Sequence, residues 1–246
     1  QPPVSTNWTG NLANGASVVV DLTAMPAASG NHTLKIYVTS PNGAIDGKTS
    51  NDTLTTTFTV LSAMTAPITQ GFESATFPPT GWRILNTPSN SVTWQRTGLA
   101  KKSGSASAML PFFDYSNGPN EVDYLLSSPV SIAGADSVIL TFERAYQPYS
   151  LSAEFADALA VVISTDCGNT FTEVWQRSGA SLATTEGINT NIFIPTAEQW
   201  AGTRLDLKPF AGSATEIIVG FRTVNRFGNN LYLDDINIQT KNAFPV

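Results

Sequence analysis

The sequence predicts an all-β protein, and three observations support that prediction. Short runs alternate between apolar and polar side chains, which is the two-residue period of a strand with one buried face. Gly, Pro, Asn and Asp stand at the breaks between these runs, as they do in turns. No segment shows the apolar period of an ordinary amphipathic helix, and only residues 195–200 could form one short helical turn. The clearest strand candidates are Ser17–Leu22, Thr33–Val38, Ser137–Phe142, Ala158–Ile163, Ile217–Arg222 and Leu231–Ile236.

Two domains are expected along the chain, separated by a stretch of small residues. Residues 1–62 are too few for an independent immunoglobulin-like sandwich of about 100 residues and about seven strands, so they predict a partial Ig-like β-sandwich. Residues 63–69 are rich in Ala and Thr and contain a proline, which predicts a linker. Residues 70–246 carry enough strand signals for the two sheets of a jelly-roll sandwich.

The composition excludes several classes of function. Charged residues make up 13% of the chain, against roughly 25% in an average soluble domain, so the surface is mostly neutral and polar. The net charge is −6 and the basic residues are scattered, which excludes nucleic-acid binding. No apolar stretch reaches the length of a membrane-spanning helix, about 18 residues or more. This composition predicts a secreted or cell-surface protein, with no internal disulfide because Cys167 is the one cysteine.

The sequence does not favour catalysis. The one histidine, His32, cannot supply a His-Glu-x-x-His zinc motif, and no glycine-rich phosphate loop follows a strand. Acid pairs for glycoside hydrolysis can be chosen from several carboxylates, but almost any sequence offers such pairs. We therefore predict that the protein is not an enzyme. The carboxylates in question are Glu121, Asp123, Glu143, Glu154 and Asp157.

The pair Asp234-Asp235 interrupts an otherwise apolar strand and predicts a cation site. Burying two uncompensated charges is costly, and in a regular strand the two side chains point to opposite faces. Glu73 is the expected companion, because the first and last strands of a jelly roll commonly lie side by side. Carboxylate oxygens suit Ca²⁺, and backbone carbonyls of residues 102–107 would complete its shell. The alternative is that these three carboxylates are surface acids or caps for turn amides.

Three tyrosines are candidates for binding a ligand. Tyr115, Tyr146 and Tyr149 lie in apparent loops, where aromatic rings could stack on sugars. The alternative for each of them is packing at the rim of the sandwich. Four tryptophans sit beside strand-like residues and are expected in the core: Trp82, Trp94, Trp175 and Trp200.

Residues 164–171 match the Asp-box pattern Ser-x-Asp-x-Gly-x-Thr-aromatic. Physically this pattern is a hairpin turn in which the Asp accepts turn amides and the Gly takes a positive φ. The sequence has one copy and no propeller period, so we interpret the motif as structural.

Several segments of the second domain occur in a familiar order: Gly71–Ser74, Phe77–Trp82, Ser127–Ile132, Val162–Gly168, Leu205–Leu207, Phe210–Gly212 and Asn229–Ile236, with Trp175 and Trp200. In these segments the second domain resembles the choice-of-anchor J, MAM-like or cleaved-adhesin-like modules of secreted Bacteroidetes proteins. The resemblance implies structural calcium bound through Glu73 in the first strand and Asp234 in the last, with Asp235 as the alternative.

The first domain carries a second set of familiar residues: Trp8–Gly10, Leu12, Gly15, Gly30–Thr33 and Asn51–Thr53. In these residues it resembles the end of a CARDB-like or other Ig-like domain.

These observations together predict a non-catalytic extracellular module for adhesion or for carbohydrate or protein binding. The expected partners are an extracellular glycan, a protein or neighbouring domains of a larger secreted chain. The alternative is a structural spacer that follows the catalytic domain of a secreted metalloprotease or glycoside hydrolase.

Overall fold

The computed structural model describes residues 2–13, 15–40, 43–87, 90–116 and 118–242. Its contacts divide the chain into two units, Gln1–Val60 and Leu61–Val246. Its helical structure consists of single 3-10 turns, one of them Ala197–Gln199, where a helical turn is expected. Among the described residues, no helix has the length and apolar character that crossing a membrane requires.

The first unit contains one antiparallel hairpin. Strands β1 (Gly30–Tyr37) and β2 (Thr53–Val60) pair along their full length. The predicted strand at Ser17–Leu22 does not form, because none of the described residues pairs with it. No side chain in the described part of this unit is buried. A sandwich needs a second sheet, so the partial Ig-like domain stays a prediction.

The second unit is an all-β sandwich of two sheets, as predicted. The first sheet has the order β13-β10-β15-β7-β6, with β4 also paired to β15. The second sheet has the order β12-β11-β14-β8-β5, with β9 paired to β14 and to β3. The strands are β3 (Met64–Thr65), β4 (Ile68–Gln70), β5 (Arg83–Asn86), β6 (Gln95–Thr97), β7 (Ser107–Leu110), β8 (Val122–Leu126), β9 (Val130–Ser131), β10 (Ser137–Tyr146), β11 (Ala158–Ser164), β12 (Thr172–Ser178), β13 (Ala201–Asp206), β14 (Glu216–Val224) and β15 (Leu231–Lys241).

The predicted linker at residues 63–69 is instead part of this sandwich. It contains β3, which pairs with β9, and most of β4, which pairs antiparallel with β15. The small side chains leave the backbone free to approach both sheet edges, where its amides and carbonyls find partners. Strand β4, near the beginning of the sandwich, and the last strand, β15, therefore lie side by side, in agreement with the jelly-roll expectation.

The core lies between the inner faces of the two sheets. Strand β10 shows the expected alternation, since Val138, Leu140 and Phe142 are all buried on its inner face. Three of the four tryptophans expected in the core are buried, and Trp175 is half-buried against it. A smaller cluster covers part of the outer face of the first sheet: Ala100, Met109, Ala145, Phe193, Trp200 and Tyr232.

Candidate functional site

Asp234 and Asp235 lie where the neighbour of β15 changes. Strand β10 pairs along one side of β15. On the other side, β7 pairs with Leu231–Leu233 and β4 pairs with Ile236–Ile238. The two aspartates fall in the gap between these partners. On this side of β15 they have no neighbouring strand, so a loop can contact them.

A β-bulge at this gap changes the direction of the two side chains. Thr141 faces Asn237 and Glu143 faces Asp234, so β15 has one extra residue in the interval. Asp235 lies at this bulge, and its φ is 47°. The prediction that the two carboxylates point to opposite faces is therefore wrong, since a regular pleat is interrupted between them.

Both aspartates bind the loop that precedes β7. The backbone amides of Lys102 and Ser103 donate to Asp234 Oδ2 over 2.8 and 3.3 Å, and the Ser103 hydroxyl donates to Asp235 Oδ1 over 2.6 Å. From the sequence, backbone carbonyls of this loop are expected as further calcium ligands. The contacts to the two carboxylates come instead from N–H and O–H donors.

Glu73 contacts the same loop from a position three residues after the end of β4, outside the strand in which it is expected. It follows Phe72, whose ring is buried and whose φ is 58°, so the chain turns sharply just before Glu73. The amide and the hydroxyl of Ser105 both donate to Glu73 Oε2. These hydrogen bonds hold the pKa of Glu73 below its usual value.

The three carboxylates face the space beside Gly71. A Cβ built on Gly71 would lie 3.7 Å from Asp234 Oδ1, 3.8 Å from Glu73 Oε1 and 3.9 Å from Asp235 Oδ1. Burial, with a smaller contribution from the charge of Asp235, raises the pKa of Asp234 to about 6. Within the described residues, none of the three forms an ion pair with a Lys or Arg side chain.

These acids do not form a ready-made metal cage. No group of three or more His, Cys, Asp or Glu side chains within the described residues is close enough to hold a metal ion. The oxygens around Gly71 have the right chemistry for a hard cation, but their spacing is wider than direct coordination requires.

Two of the three candidate ligand-binding tyrosines belong to the core. The relative exposure of Tyr115 is 7% and that of Tyr146 is 0%. Their hydroxyls donate to the buried carboxylates of Asp123 and Asp157, so the rings are fixed in the interior. The prediction that they stack on a sugar is therefore wrong. Their positions in the sequence do not show that each hydroxyl is needed as a donor to a buried acid.

Tyr149 lies near the surface in an aromatic cluster that we call the aromatic platform, made of Phe113, Tyr149 and Phe155. The ring centroids are 6.2 Å apart for Phe113 and Tyr149, and 5.2 Å apart for Tyr149 and Phe155. Phe113 is 36% exposed, and the other two rings are half-buried. The platform joins the β7–β8 loop to the β10–β11 loop at one end of the sandwich.

The buried carboxylate of Asp157 holds this end of the sandwich together. Its Oδ1 accepts the amides of Arg226 and Gly228 over 2.7 and 3.2 Å. Its Oδ2 accepts the Asn229 amide and the Tyr146 hydroxyl, each over 3.0 Å. A Cβ at Gly228 would lie 2.0 Å from Oδ2, so only glycine fits there without a shift.

Asp157 fixes the β14–β15 loop, and that loop in turn fixes the platform. The amide of Phe113 donates to Asn230 Oδ1 over 3.2 Å. Burial raises the pKa of Asp157 to about 7, while its four hydrogen bonds favour the charged form and oppose that rise. From the sequence, Asp157 is a candidate only as one acid among several for hydrolysis. The run of turn-forming residues at 225–230 is the one signal that could have pointed to its supporting role.

Two of the acids considered for hydrolysis, Asp123 and Asp157, are held by structural hydrogen bonds. Asp123 accepts hydrogen bonds from Thr93 and Tyr115, and Asp157 accepts those of the β14–β15 loop, so each buried acid has its own structural partners. A surface groove of about 620 Å³ beside β9 and β14 contains a single carboxylate, Glu216.

The Asp-box is a structural turn, as predicted. It joins β11 to β12, and Asp166 accepts hydrogen bonds from the Ser164 hydroxyl and from the amide and hydroxyl of Thr170. These bonds lower the pKa of Asp166 to about 2. Gly168 has a φ of 88°, and Phe171 stacks on Tyr124.

Comparison with known proteins supports the fold. No protein-family model matches the sequence, and a search of curated proteins finds no significant match. The K1 cleaved adhesin domain of Lys-gingipain from Porphyromonas gingivalis W83 matches with a TM-score of 0.51 and 18% identity, covering 72% of this chain and 99% of that domain.

Two further structures match more loosely. The K3 cleaved adhesin domain of the same gingipain has a TM-score of 0.49 and 17% identity, over 71% of this chain and 99% of that one. The module CBM27-1 of Caldicellulosiruptor saccharolyticus, solved with mannohexaose, has a TM-score of 0.45 and 15% identity. The match covers 72% of this chain and 99% of that module. At these identities the likeness concerns the fold, and we base it on the K1 domain alone. The choice-of-anchor J and MAM-like relationships stay predictions.

Proposed function

We propose that this chain is a non-catalytic extracellular accessory module that binds a glycan through the aromatic platform. The observation that carries the proposal is the cluster of Phe113, Tyr149 and Phe155, which presents aromatic surface at a loop end that Asp157 holds rigid. The K1 domain, whose fold the sandwich shares, is an adhesin domain, and we extend that general role to this chain.

The platform suits a sugar better than a flat apolar partner. Aromatic faces pack against the C–H faces of sugar rings, and nearby polar groups can bind the hydroxyls. Asp114 and Glu154 are exposed next to Phe113 and Phe155 and supply such groups. Because hydrogen bonds already fix the loops, little conformational entropy is lost when a ligand binds. The neutral, polar surface of the chain agrees with a secreted or cell-surface location.

We also propose that Ca²⁺ stabilises the module between β4 and β15. Glu73, Asp234 and Asp235 would hold the ion in the space beside Gly71, after a small movement that draws their oxygens together. The ion would offset the repulsion between Asp234 and Asp235, and none of the three carboxylates forms an ion pair with a basic side chain among the described residues. Because it would join the first strand to the last, its binding would stabilise the fold by mass action.

The alternative is a structural spacer within a larger secreted chain, next to a metalloprotease or glycoside hydrolase domain. A glycan array distinguishes the two functions. We expect the wild-type protein to bind at least one glycan class, and the Phe113→Ala and Tyr149→Ala variants to lose that binding. Leu151→Ala is the matched control, since Leu151 is a 71% exposed apolar residue of the same loop without a ring. An array without signal from folded protein would favour the spacer.

A further inference from the structure

Arg144 is a charged residue on the inner face of the sandwich. It lies in β10 between Phe142 and Tyr146, which are 1% and 0% exposed and belong to the core. Alternation along the strand places Arg144 on the same face as these two aromatic residues. Its side chain is half-buried, next to the edge strand β13.

Trp175 lies against the guanidinium groups of two arginines. The guanidinium carbon of Arg144 is 5.7 Å from the centroid of the Trp175 ring, and that of Arg177 is 5.4 Å from it. Trp175 itself packs edge-on against Phe142 at a centroid distance of 5.7 Å. A cation over an indole face is favourable, so the ring can hold both groups in place.

In the part of the chain that the structure describes, neither arginine forms an ion pair with a carboxylate. Arg144 Nη1 donates to the Ala201 carbonyl over 3.3 Å, while its Nε is buried without a partner. Arg177 Nη1 donates to the Gln176 carbonyl. Burial and the charge of Arg177 lower the pKa of Arg144, and the charge of Glu143 opposes that effect in part.

Burying a charge is tolerated when a counter-charge completes the arrangement. We propose that Arg144, Trp175 and Arg177 form a binding site for the carboxylate of an acidic sugar, a hexuronate residue within a glycan. The planar guanidinium fork matches a carboxylate, and the indole offers apolar surface to the attached sugar ring. The protein's net charge of −6 repels long polyanions, so a ligand with few charges is favoured.

The hexuronate identity rests on the proposed function, because a glycan-binding module would meet the carboxylate on a sugar. The residues are separate from the aromatic platform, so the two ideas can fail independently. Uronate binding that requires Arg177 but not Tyr149 would support this site even if the aromatic platform binds no glycan.

The test is a calorimetric titration with trigalacturonate and with the neutral galactotriose, at constant ionic strength. We expect trigalacturonate to bind about 10-fold more tightly or better, since charge-assisted hydrogen bonds are the stronger ones. Arg177→Gln changes an exposed side chain and should weaken this binding about 10-fold, and Arg144→Met should do the same. Arg204→Gln, an exposed arginine of β13, is the control and should bind as the wild type does. The indole N–H signal of Trp175 should shift in the NMR spectrum on addition of trigalacturonate.

This inference would be overturned by equal affinity for the two trisaccharides, by unchanged trigalacturonate affinity in the folded Arg177→Gln variant, or by no binding of trigalacturonate at all. Binding of a glutamate-rich peptide in place of the uronate would also overturn it, because the ligand would then be a protein.

Discussion

Glu73 and Asp234 face each other across Gly71, with one oxygen of each within 3.8 Å of the position that a Cβ would take on that glycine. They come from the two ends of the sandwich sequence, and the antiparallel pairing of β4 with β15 brings them together. The backbone of Gly71 does not have a positive φ, so an alanine would fit its conformation. The absence of a methyl group on Gly71 therefore leaves open the space between the carboxylates in which the proposed calcium ion would lie.

We expect Ca²⁺ to raise the melting temperature of the wild-type protein relative to protein in excess chelator. At a free concentration of 100 times Kd the shift should be about 5–10 °C. Gly71→Ala should abolish the shift and leave the midpoint in chelator nearly unchanged, because its methyl group would make ordinary contacts of 3.7–3.9 Å. Differential scanning calorimetry measures both midpoints.

Gly98→Ala is the control for this experiment. Its Cβ would lie 3.7 Å from the Ser105 carbonyl oxygen and away from the carboxylates, so the calcium shift should persist. A wild-type midpoint that does not respond to calcium, or a full response in Gly71→Ala, would contradict the proposed ion site.

Replacing Asp157 by Asn should destabilise the sandwich by about 2–4 kcal/mol at pH 7. The carboxylate accepts four hydrogen bonds, and an amide nitrogen in place of one oxygen would face two donors. Urea unfolding followed by circular dichroism measures the loss. A change below about 1 kcal/mol would mean that the β14–β15 loop does not depend on this side chain.

Stability should also depend on the ionisation of Asp157. Its pKa of about 7 in the folded protein exceeds the unfolded value of about 3.9, so the folded state keeps a proton that the unfolded chain loses. This contribution to the free energy of unfolding is therefore largest near pH 4, falls as the pH rises, and levels off above pH 7. The difference in free energy between wild type and Asp157→Asn should grow by about 1–3 kcal/mol from pH 8 to pH 5. Urea unfolding in chelator at both pH values measures it, and a difference that shrinks would contradict the raised pKa.

The buried tyrosines should contribute to stability and not to ligand binding. Tyr115→Phe and Tyr146→Phe each remove a hydroxyl that donates to a buried carboxylate, which should cost about 1–2 kcal/mol. Their affinity for the glycan identified on the array should equal that of the wild type. Loss of glycan binding in folded Tyr146→Phe would instead restore Tyr146 as a binding residue.

The sequence predicts the architecture of the second unit well because its physical signals are local. Alternation marks the core face of β10, and the Asp-box shows its own turn chemistry at Asp166. A segment close to Glu73 pairs with the last strand, as the jelly-roll expectation requires, but this strand, β4, ends at Gln70 and does not include Glu73. The short strands β3 and β4 escape prediction because small, neutral residues give no periodic pattern, and the neighbouring sheets determine their conformation.

The side-chain directions at the candidate site are harder to predict. The bulge at Asp235 depends on the change of partner from β7 to β4, which involves residues more than a hundred positions away in the sequence. The burial of Tyr115 and Tyr146 depends on acids in other strands and loops. Such contacts between distant segments leave no periodic signal in any one segment.

Binding of a glycan at the aromatic platform is the central claim, and an NMR titration tests it most directly. Wild-type protein is titrated with the glycan identified on the array, and the aromatic side-chain signals are followed. We predict that the largest chemical-shift changes fall on Phe113, Tyr149 and Phe155. The Leu151→Ala variant should show the same changes. Unchanged platform signals, with shifts confined to the groove lined by residues 212–218, would contradict the claim.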